Sequence, residues 1–290
     1  MDVTYFLATN SDIFLIIVAV ISLFIGSFLN VVIYRLPRMI EQNWGDECRV
    51  YLGLKTPEDG REKLNLWLPF SHCPACKKDI SPWYNIPIIS FLFLFGKCAY
   101  CKSHISLRYP LVEILTCLAS TYVAWRFGFS WQTLGALLFT WVTISLIFID
   151  IDYHILPDHL TLLLLWIGLL LSVFSIYANS HDAILGAILG YLIFAITQWV
   201  FELITGKIGM GQGDFKFLAA IGAFLGWQML PFTILISSLC GIIFGITHMV
   251  MKHQYKSVPF PFGPYLGIAG WISLTWGREI WHFYLQTFST

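Results

Sequence analysis

Eight apolar stretches set the terms for this 290-residue chain: residues 13–34, 109–126, 132–149, 159–178, 182–204, 214–230, 232–251 and 262–284. Each is about as long as the roughly 20 helical residues that cross a hydrocarbon core. A backbone in hydrocarbon must satisfy its own hydrogen bonds, which a helix does within one segment. With 57% hydrophobic and 12% charged residues and a mean hydropathy of +0.72, the composition excludes an ordinary soluble domain. The expectation is an all-α polytopic membrane protein with about eight transmembrane helices. The sixth stretch is the weakest, interrupted by Gly222 and Gly226 and closed by Pro231.

Charge placement orients these crossings, because Lys and Arg concentrate on the cytoplasmic side. No Lys or Arg precedes the run Ile13–Tyr34, whereas Arg35 and Arg38 follow it. That run reads as a membrane span entering from outside and not as a cleavable signal. Of the 17 Lys and Arg, 11 lie between Arg35 and Arg108, and Lys207, Lys216, Lys252 and Lys256 fall at inner ends of later stretches. Only Arg126 and Arg278 fall at outer ends. Both termini are therefore expected outside. The chain divides into a first span (1–35), a cytoplasmic segment (36–108) and a transmembrane bundle (109–290).

The centre of the polar segment, Glu41–Lys63, mixes charges with Gly45, Pro57 and Gly60 and is expected to be an irregular insertion. Beyond it come Cys73-Pro74-Ala75-Cys76 and Cys98-Ala99-Tyr100-Cys101, with 21 residues between them. Paired knuckles bring two thiolates each to a tetrahedral ion, so Cys73, Cys76, Cys98 and Cys101 are expected to bind one structural Zn2+ in a zinc-ribbon-like segment. Disulfides and a redox pair compete with this reading. A reducing inner side disfavours the first, and no thioredoxin-like βαβ pattern supports the second. His72 and His104 flank the knuckles, but four thiolates already close a site and leave no open position for chemistry. Cys48, Cys117 and Cys240 stand alone and read as packing residues. The apolar run Trp83–Phe95 is too short to span and belongs at the membrane interface or against the bundle.

Carboxylates at a membrane boundary are expensive, and function is their default explanation. Asp150-Ile151-Asp152 through Leu156-Pro157-Asp158 ends the third stretch, and Met210-Gly211-Gln212-Gly213-Asp214-Phe215-Lys216 opens the sixth. The topology places both on the inner face. Peptide hydrolysis by two carboxylates needs one to take a proton from water and one to polarise the carbonyl. Acids about 3 Å apart cannot both ionise, so they divide those roles. Asp150 and Asp214 are the candidates. On pattern alone Asp152 competes with Asp150, and Asp214 reads equally as a helix N-cap. Asp158 is expected to be an N-cap, and Gly211 and Gly213 to let a substrate approach the backbone. Zinc-hydrolase, serine-elbow, phosphate-loop and dinucleotide motifs are absent. A proton-coupled transporter would want acids deep in several spans and repeated halves; Glu113 and Glu202 lie near ends, and no repeat is visible. A non-catalytic assembly protein leaves both motif acids unexplained.

Taken together these residues resemble the type IV prepilin peptidase family. The matching pieces include Gly26-Ser27-Phe28-Leu29-Asn30-Val31-Val32, the two cysteine knuckles, Asn85-Ile86-Pro87 and Arg108-Tyr109-Pro110-Leu111-Val112-Glu113. Further along come Phe148-Ile149-Asp150-Ile151-Asp152 with Leu156-Pro157-Asp158, then Gly211-Gln212-Gly213-Asp214 and Pro261-Phe262-Gly263-Pro264. They run in family order over nearly the whole chain. The resemblance implies that Asp150 and Asp214 are the catalytic aspartates of a membrane aspartyl endopeptidase. It implies substrates that are prepilins and pseudopilins, cut after a Gly that ends a basic leader. It also implies N-methylation of the new N-terminal residue, usually Phe, with S-adenosyl-L-methionine as donor. Methylation is linked to the soluble segment, where Gly96-Lys97 match; a turn entering the knuckle is the equal reading of that pair. The implied setting is the bacterial inner membrane, multi-pass and surrounded by lipid, with the active site facing the cytoplasm and no nucleic-acid partner.

Overall fold

The computed structural model describes residues 3–54, 65–67, 71–252 and 261–288. Among these the regular structure is helical, apart from two isolated β-bridges. The helices are α1 (Val3–Thr9), α2 (Ser11–Tyr51), α3 (Ile89–Phe93), α4 (Arg108–Phe127) and α5 (Trp131–Tyr153). They continue as α6 (Asp158–Val173), α7 (Ser180–Thr205), α8 (Gln212–Leu225), α9 (Leu230–Lys252) and α10 (Gly263–Phe288). Every one of the eight apolar stretches falls on a helix. Four segments are long and apolar enough to cross a membrane: Ser11–Tyr51, Trp131–Tyr153, Ser180–Thr205 and Trp227–Thr247.

Helix α2 corrects one expectation. It runs 41 residues with Pro37 and Gly45 inside it, about 60 Å at 1.5 Å per residue and twice the hydrocarbon thickness. Apolarity ends near Tyr34 but the helix does not, so the expected irregular insertion is helical as far as Tyr51. Residues 55–63 of that insertion, and Lys256, lie outside the described residues. The run between the knuckles forms only a 3-10 turn at Pro82–Asn85 and the five-residue α3, neither long enough to span. Trp83, Leu92, Phe93 and Phe95 are exposed there.

The chain forms two compact units, Met1–Tyr122 and Val123–Thr290. In the first, α2 lies directly on α4. A Cβ added at Gly26 would sit 2.8 Å from the Glu113 Cα, so only glycine allows this approach. Buried Asn30 ties the pair together, its side-chain amide donating to the carbonyl of Tyr109 at 3.1 Å.

In the second unit α6, α7, α9 and α10 all pack against α8. Phe217 through Phe224 are buried without a break. Small residues make this possible: a Cβ on Gly186 would overlap the carbonyl of Gly222, and one on Gly190 would come within 2.7 Å of the Leu218 carbonyl oxygen. A Cβ on Gly168 would meet the Phe224 ring at 2.7 Å. The helix stops at Leu225, short of the expected end near 230, where Gly226 turns the backbone to φ +84°.

Overpacking such a contact costs typically 1–3 kcal/mol and more where a backbone atom must yield. Gly186→Leu should therefore lower the thermal midpoint of the detergent-solubilised protein by several degrees. Gly245→Leu is the control, because nothing lies within 4 Å of a Cβ added there, and it should leave the midpoint in place.

Candidate active site and metal cluster

Helix α5 ends because His154 adopts a left-handed conformation, φ 53° and ψ 37°, with its N–H donating to the Asp150 carbonyl at 3.0 Å. Asp150 thus occupies the last turn and is 5% exposed, whereas Asp152 is exposed. The Asp150 Oδ2 accepts the backbone N–H of Gly263 at 2.9 Å, at the first residue of α10. A Cβ on Gly263 would lie 2.7 Å from that same oxygen, so the close approach requires glycine.

Asp214 sits in the first turn of α8 and is 9% exposed. It is not the N-cap. Gly211 is, and the Asp214 N–H donates back to the Gly211 carbonyl at 3.2 Å. Its Oδ1 is buried and has no hydrogen-bond partner among the described residues. The two carboxylates are near enough to act on each other electrostatically. Leu156, from the α5–α6 connection, packs between their supports: its Cβ is 2.7 Å from a Cβ placed on Gly213, and its Cδ2 is 3.0 Å from one placed on Gly263. The bare backbone of Gly213 accommodates Leu156, where the sequence suggested room for a substrate.

Asp158 also departs from expectation. Pro157 is the N-cap of α6, with no side-chain capping bond, and Asp158 is the first helical residue. Both of its oxygens accept from Lys216 Nζ at 2.7 Å. A full charge from the neighbouring helix outcompetes a local cap. The signal was Lys216, two residues past Asp214, whose partner lies 58 residues earlier.

The four cysteines of the knuckles converge, with their ligand atoms all within 4.8 Å of one another. Cys73 and Cys101 Sγ are 3.7 Å apart, against about 3.8 Å for tetrahedral thiolates each about 2.3 Å from zinc. The two turns are built alike. Cys73 N–H donates to the Lys78 carbonyl and Cys98 N–H to the Ser103 carbonyl, while Lys77 and Lys102 take φ 56° and 60°. Bridges His72–Asp79 and Lys97–His104 close their bases, and the group that converges consists of the four cysteines. Backbone amides of Cys76 and Ala75 pull the Cys73 thiol down to about 6. Ser103, through side chain and backbone, lowers Cys101. Cys76 receives a backbone amide from Lys78, yet desolvation and its neighbours Cys73 and Cys101 push it up to about 11. Amides and hydroxyls thus favour some thiolates but not four together, which a divalent cation would do.

Gly96, ahead of the second knuckle, has φ 67°. A Cβ there would meet the Phe91 ring at 3.0 Å. Its N–H donates to the Phe91 carbonyl at 2.9 Å and its carbonyl accepts from Ile105 at 2.8 Å. Gly96-Lys97 thus forms the turn joining α3 to the knuckle, with the Phe91 ring packed against Gly96.

Residues 20–127 match the family described as Bacterial Peptidase A24 N-terminal domain, and residues 137–246 match the Type IV leader peptidase family. The chain is 50% identical over 286 residues to a Prepilin leader peptidase/N-methyltransferase of Pseudomonas aeruginosa, covering 99% of this chain and 98% of that one. It is 52% identical over 272 residues to the protein of that name from Aeromonas salmonicida, covering 93% and 94%. The corresponding Neisseria gonorrhoeae protein is 46% identical over 263 residues, 91% of each.

The chain belongs to the type IV leader peptidase family. The cysteine cluster falls in the first of the two matched regions and the buried acids in the second. No solved structure matches the chain. Family membership makes it an enzyme of the leader peptidase class, with helices fit to cross a membrane. For the cysteines, elemental analysis should find one zinc per chain, lost in Cys98→Ser. Thiolate ligands compete with protons, so the metal should be retained at neutral pH and released as the pH falls. Absence of zinc together with free alkylation of all four thiols would exclude the site.

Proposed function

We propose that this enzyme removes the leader of type IV prepilins and pseudopilins after its terminal Gly, using Asp150 and Asp214. The same chain then N-methylates the new N-terminal residue, usually Phe. The relatives are named for both activities. The observation that carries the peptidase reading is the Asp214 Oδ1, buried without a partner among the described residues and close enough to feel the second buried carboxylate, Asp150. Leaving a buried polar atom unpaired costs about 1–3 kcal/mol, so such an atom calls for an explanation, and a catalytic role is one.

The reaction follows from the pair. Water between the carboxylates gives a proton to one of them as its oxygen attacks the scissile Gly carbonyl, while the other, protonated, hydrogen-bonds the developing oxyanion. Collapse of the tetrahedral intermediate breaks the C–N bond, and the leaving amine takes a proton; no acyl-enzyme forms. The Gly263 amide occupies Oδ2 of Asp150 and fixes its rotation, leaving Oδ1 for water. The charge distribution supports placing this site at the cytoplasmic face of the bacterial inner membrane. A prepilin's apolar helix would stay in lipid beside the bundle, with its basic leader inside.

On this reading S-adenosyl-L-methionine supplies the methyl group, and the released amine must be unprotonated to accept it. Gly96-Lys97 contribute placement and not a donor pocket, since Phe91 accounts for the glycine. Zinc on the four cysteines would hold the segment's shape; with four thiolates it has no position open to water.

Asp150→Asn and Asp214→Asn should each lower cleavage by about 10²–10⁴-fold and leave methylation of a pre-cleaved peptide largely intact. Asp152→Asn should still cleave. Mass spectrometry of the product N-terminus reads both reactions. Substantial cleavage by Asp214→Asn, or loss in Asp152→Asn with retention in Asp150→Asn, would refute the assignment. The topology has its own check in Cys48, which is exposed. An impermeant thiol reagent should label it in inverted vesicles and not in intact cells.

A further inference from the structure

Three motifs that cleavage does not use come together in the first unit: Gly26–Val32, Asn85–Pro87 and Arg108–Glu113. Gly26 lets α2 rest on α4 at Glu113, and Asn30 bonds the Tyr109 carbonyl. Glu113 is only 8% exposed. Its Oε2 accepts the Ile88 N–H at 2.8 Å. Ile88 follows the Asn85-Ile86-Pro87 motif directly and sits at φ 59°, ψ −50°. The Ile89 N–H closes back on the Pro87 carbonyl, a γ-turn centred on a β-branched residue. That conformation is strained and persists only where its surroundings hold it. Helix α3 begins at the next residue, and its Phe91 packs on Gly96 and bonds the Gly96 N–H. A continuous line of contacts thus joins Glu113 to the Gly96-Lys97 turn.

We propose that Glu113 is a positioning residue for methylation: by holding the Ile88 amide it fixes α3, and with it the Gly96-Lys97 turn, on the α2/α4 pair. This rests on the methylation role proposed above for that turn. Glu113 does not serve as the base for the substrate amine. It is enclosed, and the bond from Ile88 already engages its carboxylate. Its function depends on reach, because what the turn needs is an acceptor oxygen 2.8 Å from a strained amide.

Two mild substitutions separate reach from charge. E113Q keeps an acceptor oxygen at the same distance; E113D keeps the charge but withdraws it by one methylene. In purified full-length protein, E113Q should methylate a pre-cleaved peptide within about threefold of wild type, and E113D should lose about tenfold or more, the scale of one hydrogen bond. Both should cleave a full-length prepilin within about twofold of wild type, since the cleavage acids belong to the other unit. Hydrogen exchange should quicken at residues 88–96 in E113D and stay slow in E113Q, with zinc content unchanged in both. Wild-type methylation by E113D overturns the proposal. So does an E113Q loss equal to that of E113D, which would mean the charge acts as a base, and so does loss of cleavage in either variant. If wild type fails to methylate the pre-cleaved peptide, the bifunctional reading is what falls, and the exchange difference between the variants still judges the anchor.

Discussion

Helix α8 is surrounded by protein, and that burial decides what its first turn can carry. Fourteen residues make about 21 Å, short of the roughly 30 Å of a hydrocarbon core, so lipid alone does not hold the helix in place. Backbone contact does, at Gly168, Gly186 and Gly190. A helix gripped at glycines has little freedom to slide, because any shift drives one backbone into another. Asp214, one turn inside the N-terminus, inherits that fixity. Asp150 is held by different means, through the left-handed stop at His154 and the Gly263 amide, and Leu156 packs against both glycine supports. For chemistry that loses about 10²-fold on a misplacement of about 1 Å, three chain ends locked together are a better foundation than one loop.

The sequence was legible where the constraint is local or where lipid imposes it. Length and apolarity reveal a helix able to cross a membrane, so the stretches of α2, α5, α7 and α9 stand out. The α8 stretch read as weak for the same reason it is central: hydropathy measures transfer into lipid, and a helix shielded by its neighbours does not need it. The cysteine knuckles were legible because both turns are set by a few adjacent residues. The choice between Asp150 and Asp152 was not, since two acids two residues apart differ only in the face they occupy, and the cover on that face comes from α10, over a hundred residues later. Asp158 misled because capping is a short-range rule, while the bond that forms is to Lys216 on another helix. Gly213 misled because a bare backbone looks like room for a ligand, yet here Leu156 fills it.

The cysteine cluster shows how far geometry can go before charge stops it. Backbone amides and Ser103 favour the thiolate at Cys73 and Cys101, but each thiolate made easier raises the cost of the next, and Cys76 bears that cost. On the proposed reading zinc relieves that conflict among the four converging sulfurs, and folding of this segment and metal affinity become one equilibrium.

On the proposed reading the two chemistries make opposite demands. Hydrolysis needs water held between acids in a place otherwise closed to it, whereas methyl transfer needs an amine kept from protonation and placed with accuracy. The chain meets them with different materials. The unit bearing Asp150 and Asp214 is rigid through packed helices and glycine contacts. The unit bearing Gly96-Lys97 depends on short turns with positive φ at Lys77, Ile88, Phe95, Gly96 and Lys102, each of which must be held by something else. Metal ligation can hold the two knuckles, but Ile88 lies outside them, ten residues before the second. Local bonds from Leu92 and Ser90 close the turn around it, and the bond that ties its own amide to the helices comes from the buried carboxylate of Glu113.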